Sequence, residues 1–527
     1  PLHPWLIYGG KTTVYDERTG QTQDVSPTYD RKAYRFDRTN PLVWNRVDRR
    51  ELYLGLNVVF ATRDGGHSWH TISPDLTRER PGNPATLAHF SASDPLAGKH
   101  RGVIYSLAPS YMDAERMWAG TDDGLIWLTK DRGAHWHDIT PHALGPWSRV
   151  TQIDASHFDA NTAYASVSRQ RLDDLQPYIY KTHDGGVTWL PIVTGLPPNE
   201  PVNTVREDPK RRGLLFAGTE RTVYVSFDDG AHWQSLQNDL PSTSIRDLVV
   251  HGDDVVVGTH GRSFWILDDI ASLRETGADS ARAPAFLFTP QLTYRVRRDT
   301  NSDTPLPPDE PAGQNPPDGA VIDYSLGSGT SGVVGITVYD ASGQVVRSFS
   351  SNDVPGALDP EIDVPTYWVR PPRAPLASPG THRFVWDLRY VPPRSFQDDY
   401  PIAAIVHDTP RDPEGVLALP GTYRVRLTAN GRNYDRPLRV AIDPRVTATG
   451  AELREQFVLA SRIATAMNRS YDAVERARAA KDTAATSRYG RLNASLGALL
   501  EGVEAADARP TEQAQAYASE LLGAPGL

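Results

Sequence analysis

"THDGGVTW", residues 182–189, places an aspartate, two glycines and a tryptophan at fixed spacing. Three near-copies follow the same order: "TRDGGHSW" at 62–69, "TKDRGAHW" at 129–136 and "SFDDGAHW" at 226–233. The box aspartates Asp64, Asp131, Asp184 and Asp228 lie 67, 53 and 44 residues apart. Each box ends a β-rich run of one shape, such as "RMWAGTDDGLIWLTKDRGAHWHDIT" or "GLLFAGTERTVYVSFDDGAHWQSL". These read as strand, turn, strand, box, strand. A further apolar run stands in front of each unit ("GVIYSLAPS", "RVTQIDAS", "VNTVREDP"). Four short strands repeated about every 45 residues are the signature of a β-propeller blade.

Inside such a unit the box has a structural task. The aspartate caps backbone N–H groups of a tight hairpin, and the glycines supply positive φ. Trp69, Trp136, Trp189 and Trp233 supply large apolar anchors between blades. The boxes therefore read as scaffold. His67, His135, His183 and His232 fall in or beside them at exposed turns without ligand-spaced partners, so no metal role is expected.

Bulk composition narrows the function classes. The chain has 527 residues, enough for roughly three or four domains, and a net charge of −10 spread along its length. That balance argues against nucleic acid, which needs a basic face. No run of eighteen apolar residues exists and mean hydropathy is −0.47, so no membrane span is expected. Zero cysteines exclude disulfides, iron–sulfur clusters and thiolate zinc sites. The basic residues are mostly arginine, with seven lysines, which reads as a compositional bias. The first residue is Pro1 and no charged-then-apolar leader follows, which reads as a mature form or a fragment. No phosphate loop, H-E-x-x-H, serine-hydrolase elbow or calcium loop is present, and no cofactor is expected.

The S/T-x-D-x-G-x-x-W box, with "YRFDRTNPLVWN", "TISPDLTRE", "AGTDDGL", "YIYKTHDGG" and "GTHGRSFWILDD" around it, resembles the bacterial BNR (Asp-box) repeat propeller proteins, a sortilin-like group often labelled glycosyl hydrolase. The likeness covers residues 1 to about 270. It implies a propeller, a location outside the cytoplasm in the periplasm or beyond, and a ligand met on the face opposite the boxes. Fold alone does not set function.

The expected architecture is mainly all-β. Residues 1–275 form the Asp-box β-propeller, of about six blades with the first and last incomplete. "WLIYGGKTTVYDERTGQTQDVS" reads as a blade lacking its first strand, and 245–269 as one lacking its fourth. Either other segments complete them, or an N-terminal region of the same protein finishes a larger ring. Residues 276–319 read as a Pro/Asp-rich linker and 320–446 as an immunoglobulin-like β-sandwich, with proline-rich insertions at 351–380 and 391–420 as surface loops. Gly327, Gly329 and Gly332 spell a dinucleotide fingerprint but open no helix, so they read as a hairpin. Residues 447–527 read as an α-helical hairpin or bundle. Thr449 and Glu452 form a capping box there, and Leu453, Phe457, Ala460, Ala464, Met467, Tyr471 and Val474 share one stripe.

The resemblance places the loops joining second to third strands at the channel mouth: 121–124, 168–178, 219–222 and 259–262. The fourth-to-first connections, including 76–101 and 144–149, open on the same side. Together they present Asp122, Asp123, Trp147, Arg149, Arg171, Asp173, Asp174, Tyr178, Glu220, His260 and Arg262. Two readings compete. In the first, the mouth binds a peptide, protein or carbohydrate ligand through Trp147, Arg149, Arg171, Tyr178, Glu220, His260 and Arg262, its mixed charges being a solvated rim. In the second, a glycoside hydrolase of xyloglucanase type uses Asp122 or Asp123 as one member of an acid/base pair and Asp173 or Asp174 as the other. Trp147 and Tyr178 would then be sugar platforms. A sialidase would need three matched arginines; Arg149, Arg171 and Arg262 do not match in position.

Overall fold

The computed structural model describes residues 5–8, 11–30, 32–84, 86, 99–297, 313, 315–354, 364–371, 373–396 and 409–524. The chain divides into two units, Pro1–Ile270 and Ala271–Leu527. It is mainly β, built of many small antiparallel sheets, with three longer helices at its C-terminal end.

Six consecutive sheets make the first unit. The first has three strands (Trp5–Tyr8, Lys11–Asp16, Gln21–Asp24). The second (Leu42–Trp44, Leu52–Gly55, Val59–Thr62, His70–Thr71) and third (Ile104–Pro109, Met117–Thr121, Ile126–Thr129, His137–Asp138) have four each. So do the fourth (Arg149–Ala155, Ala163–Arg169, Asp174–Thr182, Leu190–Pro191) and fifth (Val202–Glu207, Leu215–Thr219, Val223–Ser226, Gln234–Ser235). The sixth has three strands (Ile245–His251, Asp254–Thr259, Phe264–Leu267). Strand order follows sequence order in every sheet, and neighbours are antiparallel. From the second sheet to the sixth, each sheet packs on the next, as propeller blades do.

The packing has a repeated small residue. A side chain at Gly120 would meet Val150 Cγ1 at 2.5 Å, and one at Gly218 would meet Ile245 Cγ2 at 2.5 Å. In each case glycine on a second strand makes room for a β-branched residue on the first strand of the next sheet, letting the sheets approach without a void.

The boxes are wired alike. Asp184 Oδ1 accepts from Thr182 Oγ1 at 2.8 Å and from the Thr188 amide at 2.9 Å, and Oδ2 accepts from Thr188 Oγ1 at 2.6 Å. Asp64 makes the corresponding bonds to Thr62 and Ser68. In the other two boxes a histidine ring takes the last place: His135 Nδ1 lies 2.6 Å from Asp131 and His232 Nδ1 2.8 Å from Asp228. His135 and His232 thus serve as caps.

Each box tryptophan reaches backwards. Its indole N–H donates to the carbonyl of the residue that follows the last strand of the preceding sheet: Trp69 to Val25, Trp136 to Ile72, Trp189 to Ile139 and Trp233 to Ile192. The last box glycine seats on the same residue; a side chain at Gly186 or Gly230 would strike Ile139 or Ile192 at 2.4 or 2.5 Å. The box is both a hairpin cap and a rivet between sheets.

These caps are pH-sensitive. The amide and ring of His135 hold Asp131 down to about 2, and the hydroxyl and amide of Thr188 do the same for Asp184, against an ordinary value of 3.8. A carboxylate depressed in the folded state contributes stability above its unfolded pKa and loses it as pH falls through the folded one. Unfolding followed by fluorescence should therefore show the stability of the first unit flat above about pH 5 and dropping between about pH 4 and 2. Asp184→Asn should flatten part of that drop.

In the second unit, two sheets share one core. Ala285–Leu287, Ala320–Leu326 and Gly380–Trp386 form the first. Thr293–Arg295, Arg432–Ile442, Gly421–Ala429, Gly335–Tyr339 and Val345–Ser350 form the second. Ile322, Tyr324, Trp386, Ile336, Val425 and Leu438 meet between them, all buried.

Three expectations change here. The stretch 276–319, read as linker, carries two strands: Ala285–Leu287 pairs with Ala320–Leu326, and Thr293–Arg295 pairs in parallel with Arg432–Ile442. Three-residue strands flanked by prolines carry too little periodicity to be seen; residues 298–312 lie outside those described. Gly327, Gly329 and Gly332 join strands of different sheets, so they cross between layers and form no hairpin. Within 391–420, Val416, Leu417 and Ala418 are buried, and only part of that insertion is surface.

The helices run Gly450–Ala479, Thr483–Glu504 and Glu512–Leu522. Thr449 accepts from the Glu452 amide and Glu452 accepts from Thr449, closing the capping box. Of the expected stripe, Leu453, Ala460, Ala464, Met467 and Val474 are buried, and Ala460, Ala464 and Met467 share a core with Leu496, Leu500, Val503 and Val416. No helix among the described residues is long and apolar enough to cross a membrane.

Candidate functional site: the rim opposite the boxes

Antiparallel order alone sorts the loops of the first unit. A box joins third to fourth strand, so it shares its rim with the first-to-second turns; the second-to-third loops and fourth-to-first connections share the other rim. The loops expected at the mouth belong to that second rim, but the structure uses many of their residues differently.

Asp123 is fully buried. Its carboxylate accepts from Thr121 Oγ1 at 2.6 Å and from the Arg78 amide at 2.9 Å, and it presses on Gly102, where a side chain would meet it at 2.2 Å. Burial raises its pKa, and neighbouring Asp122 adds to the effect. This is a turn residue, closed to substrate. Asp122 accepts from the Val103 amide and from Arg171, both at 2.8 Å.

In the next sheet, the loop expected over 168–178 is short. A single 3-10 turn, Gln170–Leu172, ends at Asp173 in the left-handed region (φ 55), and a strand begins at Asp174. Tyr178 therefore stands inside a strand, donating to Asp174 at 2.7 Å, while Arg169 bonds both groups at 3.1 Å. Asp173 is exposed; its amide donates to the Gln170 carbonyl at 3.1 Å, and its carboxylate has no partner among the described residues.

The aromatic faces are covered. Arg171 lies over Trp147 at 5.6 Å, Arg169 over Tyr178 at 5.3 Å and Arg149 over Tyr105 at 4.7 Å. Trp147 is also buried, held in the left-handed region (φ 65), with its indole N–H on the Gly82 carbonyl. Neither Trp147 nor Tyr178 offers a free ring to a sugar.

Glu220 accepts from Asn203 at 3.0 Å and pairs with Arg246 at 3.4 Å. Burial works against its charge, but these partners outweigh it and lower its pKa. His260 is exposed beside Arg246 (3.4 Å), and Arg262 is an exposed turn residue whose carbonyl accepts from Trp265.

Arg149 differs from the other rim arginines. Among the described residues its guanidinium has no hydrogen-bond or carboxylate partner, and its Nε is buried and unsatisfied. Burial, and then the charge of Arg171, push its pKa down. The charge of Asp122 works in the opposite direction, and Arg171 holds that carboxylate. An unpaired, half-desolvated guanidinium beside a paired one keeps N–H donors that no protein acceptor uses.

The box rim holds a surprise against expectation. A cavity of about 320 Å³ lies between the fourth and fifth sheets, lined by Tyr164, His183, Glu207, Phe227, Asp228 and Asp229 among others. A box hairpin thus does line a pocket, which the sequence reading did not foresee. Asp229 stands where two sister boxes have Gly65 and Gly185, all in the left-handed region (φ 60, 74 and 73). It accepts from Tyr164 at 2.6 Å, Lys181 at 2.7 Å and His183 at 3.0 Å, all on the preceding sheet. Arg132 (φ 58) holds the same box position two repeats earlier and meets Glu51 at 3.3 Å on its own preceding sheet, where Glu51 is bonded to Tyr53. The two arrangements are charge-reversed versions of one latch, which reads the Asp229 cluster as structure. Burial raises Glu207 and Tyr164, while Lys181 and Tyr164 hold Asp229 low despite its burial.

No group of three or more histidine or acidic side chains among the described residues is arranged to hold a metal. No family model matches the chain. No curated protein matches it. Among solved structures it is similar to a GH74 xyloglucanase from Xanthomonas campestris (16% identity, 60% of this chain and 47% of that one, TM-score 0.36). It is similar also to YCF48 bound to D1 peptide (15%, 62% and 83%, TM-score 0.31) and to the extracellular domain of a hybrid two-component system from B. thetaiotaomicron (14%, 50% and 30%, TM-score 0.34). The chain spans about half the length of the xyloglucanase it matches.

Proposed function

We propose that this chain is an Asp-box propeller protein, acting outside the cytoplasm, that binds a peptide or protein ligand at the rim opposite the boxes and does not hydrolyse it. One observation carries the reading: of the four acids offered as catalytic, Asp173 alone keeps an unpaired carboxylate among the described residues, so no second free carboxylate faces it. Asp122 is held by Arg171, Asp174 by Arg169 and Tyr178, and Glu220 by Arg246, while Asp123 is sealed in a turn. A glycosidase needs two carboxylates free to face one bond. The covered rings of Trp147 and Tyr178 speak against a carbohydrate platform. The free guanidinium of Arg149 speaks for a ligand carrying a carboxylate.

The test is a binding screen of acidic and neutral peptide pools on the immobilised chain, beside a hydrolysis screen on polysaccharides. Arg149→Ala is expected to weaken the selected peptide at least tenfold, and no glycan is expected to turn over. Turnover that disappears in Asp122→Ala or Asp173→Ala would overturn the proposal in favour of the hydrolase.

A further inference from the structure

The second unit contains a cavity of about 290 Å³ whose charge is unbalanced. Five arginines line it: Arg347, Arg370, Arg373, Arg389 and Arg411. Three carboxylates face them, Asp353, Asp387 and Glu414. They do not neutralise the arginines one for one. Glu414 is shared between Arg370 at 3.3 Å and Arg389 at 2.7 Å, and Arg389 also meets Glu504, outside the lining, at 3.2 Å. Asp353 accepts from the Ser350 amide at 2.7 Å, and Asp387 from the Arg389 amide at 3.1 Å.

Two of the arginines have no carboxylate at all among the described residues. Arg347 donates to the Tyr390 carbonyl at 2.7 Å, and Arg373 only to the Val385 carbonyl at 3.4 Å. Both are half-buried. A guanidinium has five N–H donors in a rigid fork, so each of these retains several for a guest. They also come from different segments: Arg347 from the strand Val345–Ser350, Arg373 from the chain after a 3-10 turn, Arg389 from beyond the strand Gly380–Trp386. Donors converging from several directions suit a group with oxygens in several directions.

We infer that this cavity binds a small molecule carrying a phosphate or sulfate group, with Arg347 and Arg373 as its primary donors. Arg370 and Arg389, pinned on Glu414, wall the site and raise its potential. A tetrahedral dianion matches both the charge excess and the spread of donors, where a planar carboxylate offers two oxygens in one plane. The inference is independent of the propeller rim, which lies in the other unit.

Inorganic phosphate and sulfate are the probes, titrated into the whole chain at constant ionic strength with chloride as the balancing ion. Calorimetry and the thermal midpoint are the readouts. The expected result is saturable binding of phosphate, sulfate or both, weakened at least tenfold by Arg373→Gln and by Arg347→Ala. Each variant's midpoint in chloride reports whether it folds, and Arg373→Gln, which removes one weak hydrogen bond, guards against loss of fold in Arg347→Ala. A non-saturating response equal to that of chloride would overturn the inference. So would saturable binding indifferent to both substitutions, or acetate binding as tightly as phosphate.

Discussion

Trp233→Ala is expected to cost the first unit about 3–5 kcal/mol, the range for deleting a large aromatic from a packed interior. Trp233 is 5% exposed, the most buried of the box tryptophans, and packs with Tyr164, Ile192, Leu196, Val205 and Tyr224 across the seam between the fourth and fifth sheets. Its backbone is held as well: its amide donates to the Thr194 carbonyl at 2.8 Å, and Gly195 lies against its carbonyl so closely that a side chain there would come within 2.3 Å. The site therefore cannot collapse to fill the hole. Trp233→Phe keeps much of the bulk but orphans the Ile192 carbonyl that the indole N–H now satisfies at 2.8 Å, costing about 1–3 kcal/mol. Urea unfolding with an unchanged slope is the measurement. A loss under about 1 kcal/mol for the alanine variant would show that the seam does not depend on its rivet.

Asp507→Ala should destabilise the second unit by a similar amount, about 3–5 kcal/mol. Asp507 follows the helix Thr483–Glu504 and accepts from Arg295 and Arg297, each at 2.8 Å. Arg295 is 4% exposed on its side chain and Asp507 2%, and burial pushes the Arg295 pKa down. Removing the carboxylate strands two guanidiniums, one of them with an Nε that is already unsatisfied. The damage comes from the uncompensated charge more than from the lost attraction. Arg295→Met combined with Asp507→Leu should accordingly recover much of the loss, since exchanging a buried ion pair for apolar side chains is often neutral and the remaining Arg297, 26% exposed on its side chain, reaches solvent. Thermal unfolding of the single and double variants decides it; a double variant as unstable as Asp507→Ala would refute the account.

The two sites contrast in how far they were legible. The box was readable because its bonds are local: Thr182, Asp184, Gly186 and Thr188 satisfy one another within six residues. The helical capping box at Thr449 was readable for the same reason. The end of the sheet at which each loop lies was readable, because strand order assigns it. Their roles were not. Asp122 was offered as a catalytic acid, and what disarms it is Arg171, 49 residues away. Tyr178 was placed in a loop, although its hydroxyl sits in a strand bonded to Asp174. The latch of Asp229 on Tyr164 spans 65 residues, and the anchor of Arg295 on Asp507 spans 212.

What the sequence by itself determined is the repeat: turns, caps and rivets whose partners lie a few residues away or one repeat back, so that spacing alone names them. Which charges cancel, which aromatic rings are covered, and which arginines are left without a carboxylate was decided only by the tertiary structure. Electrostatic pairing depends on distance in space and on burial, and neither is written in the order of the residues.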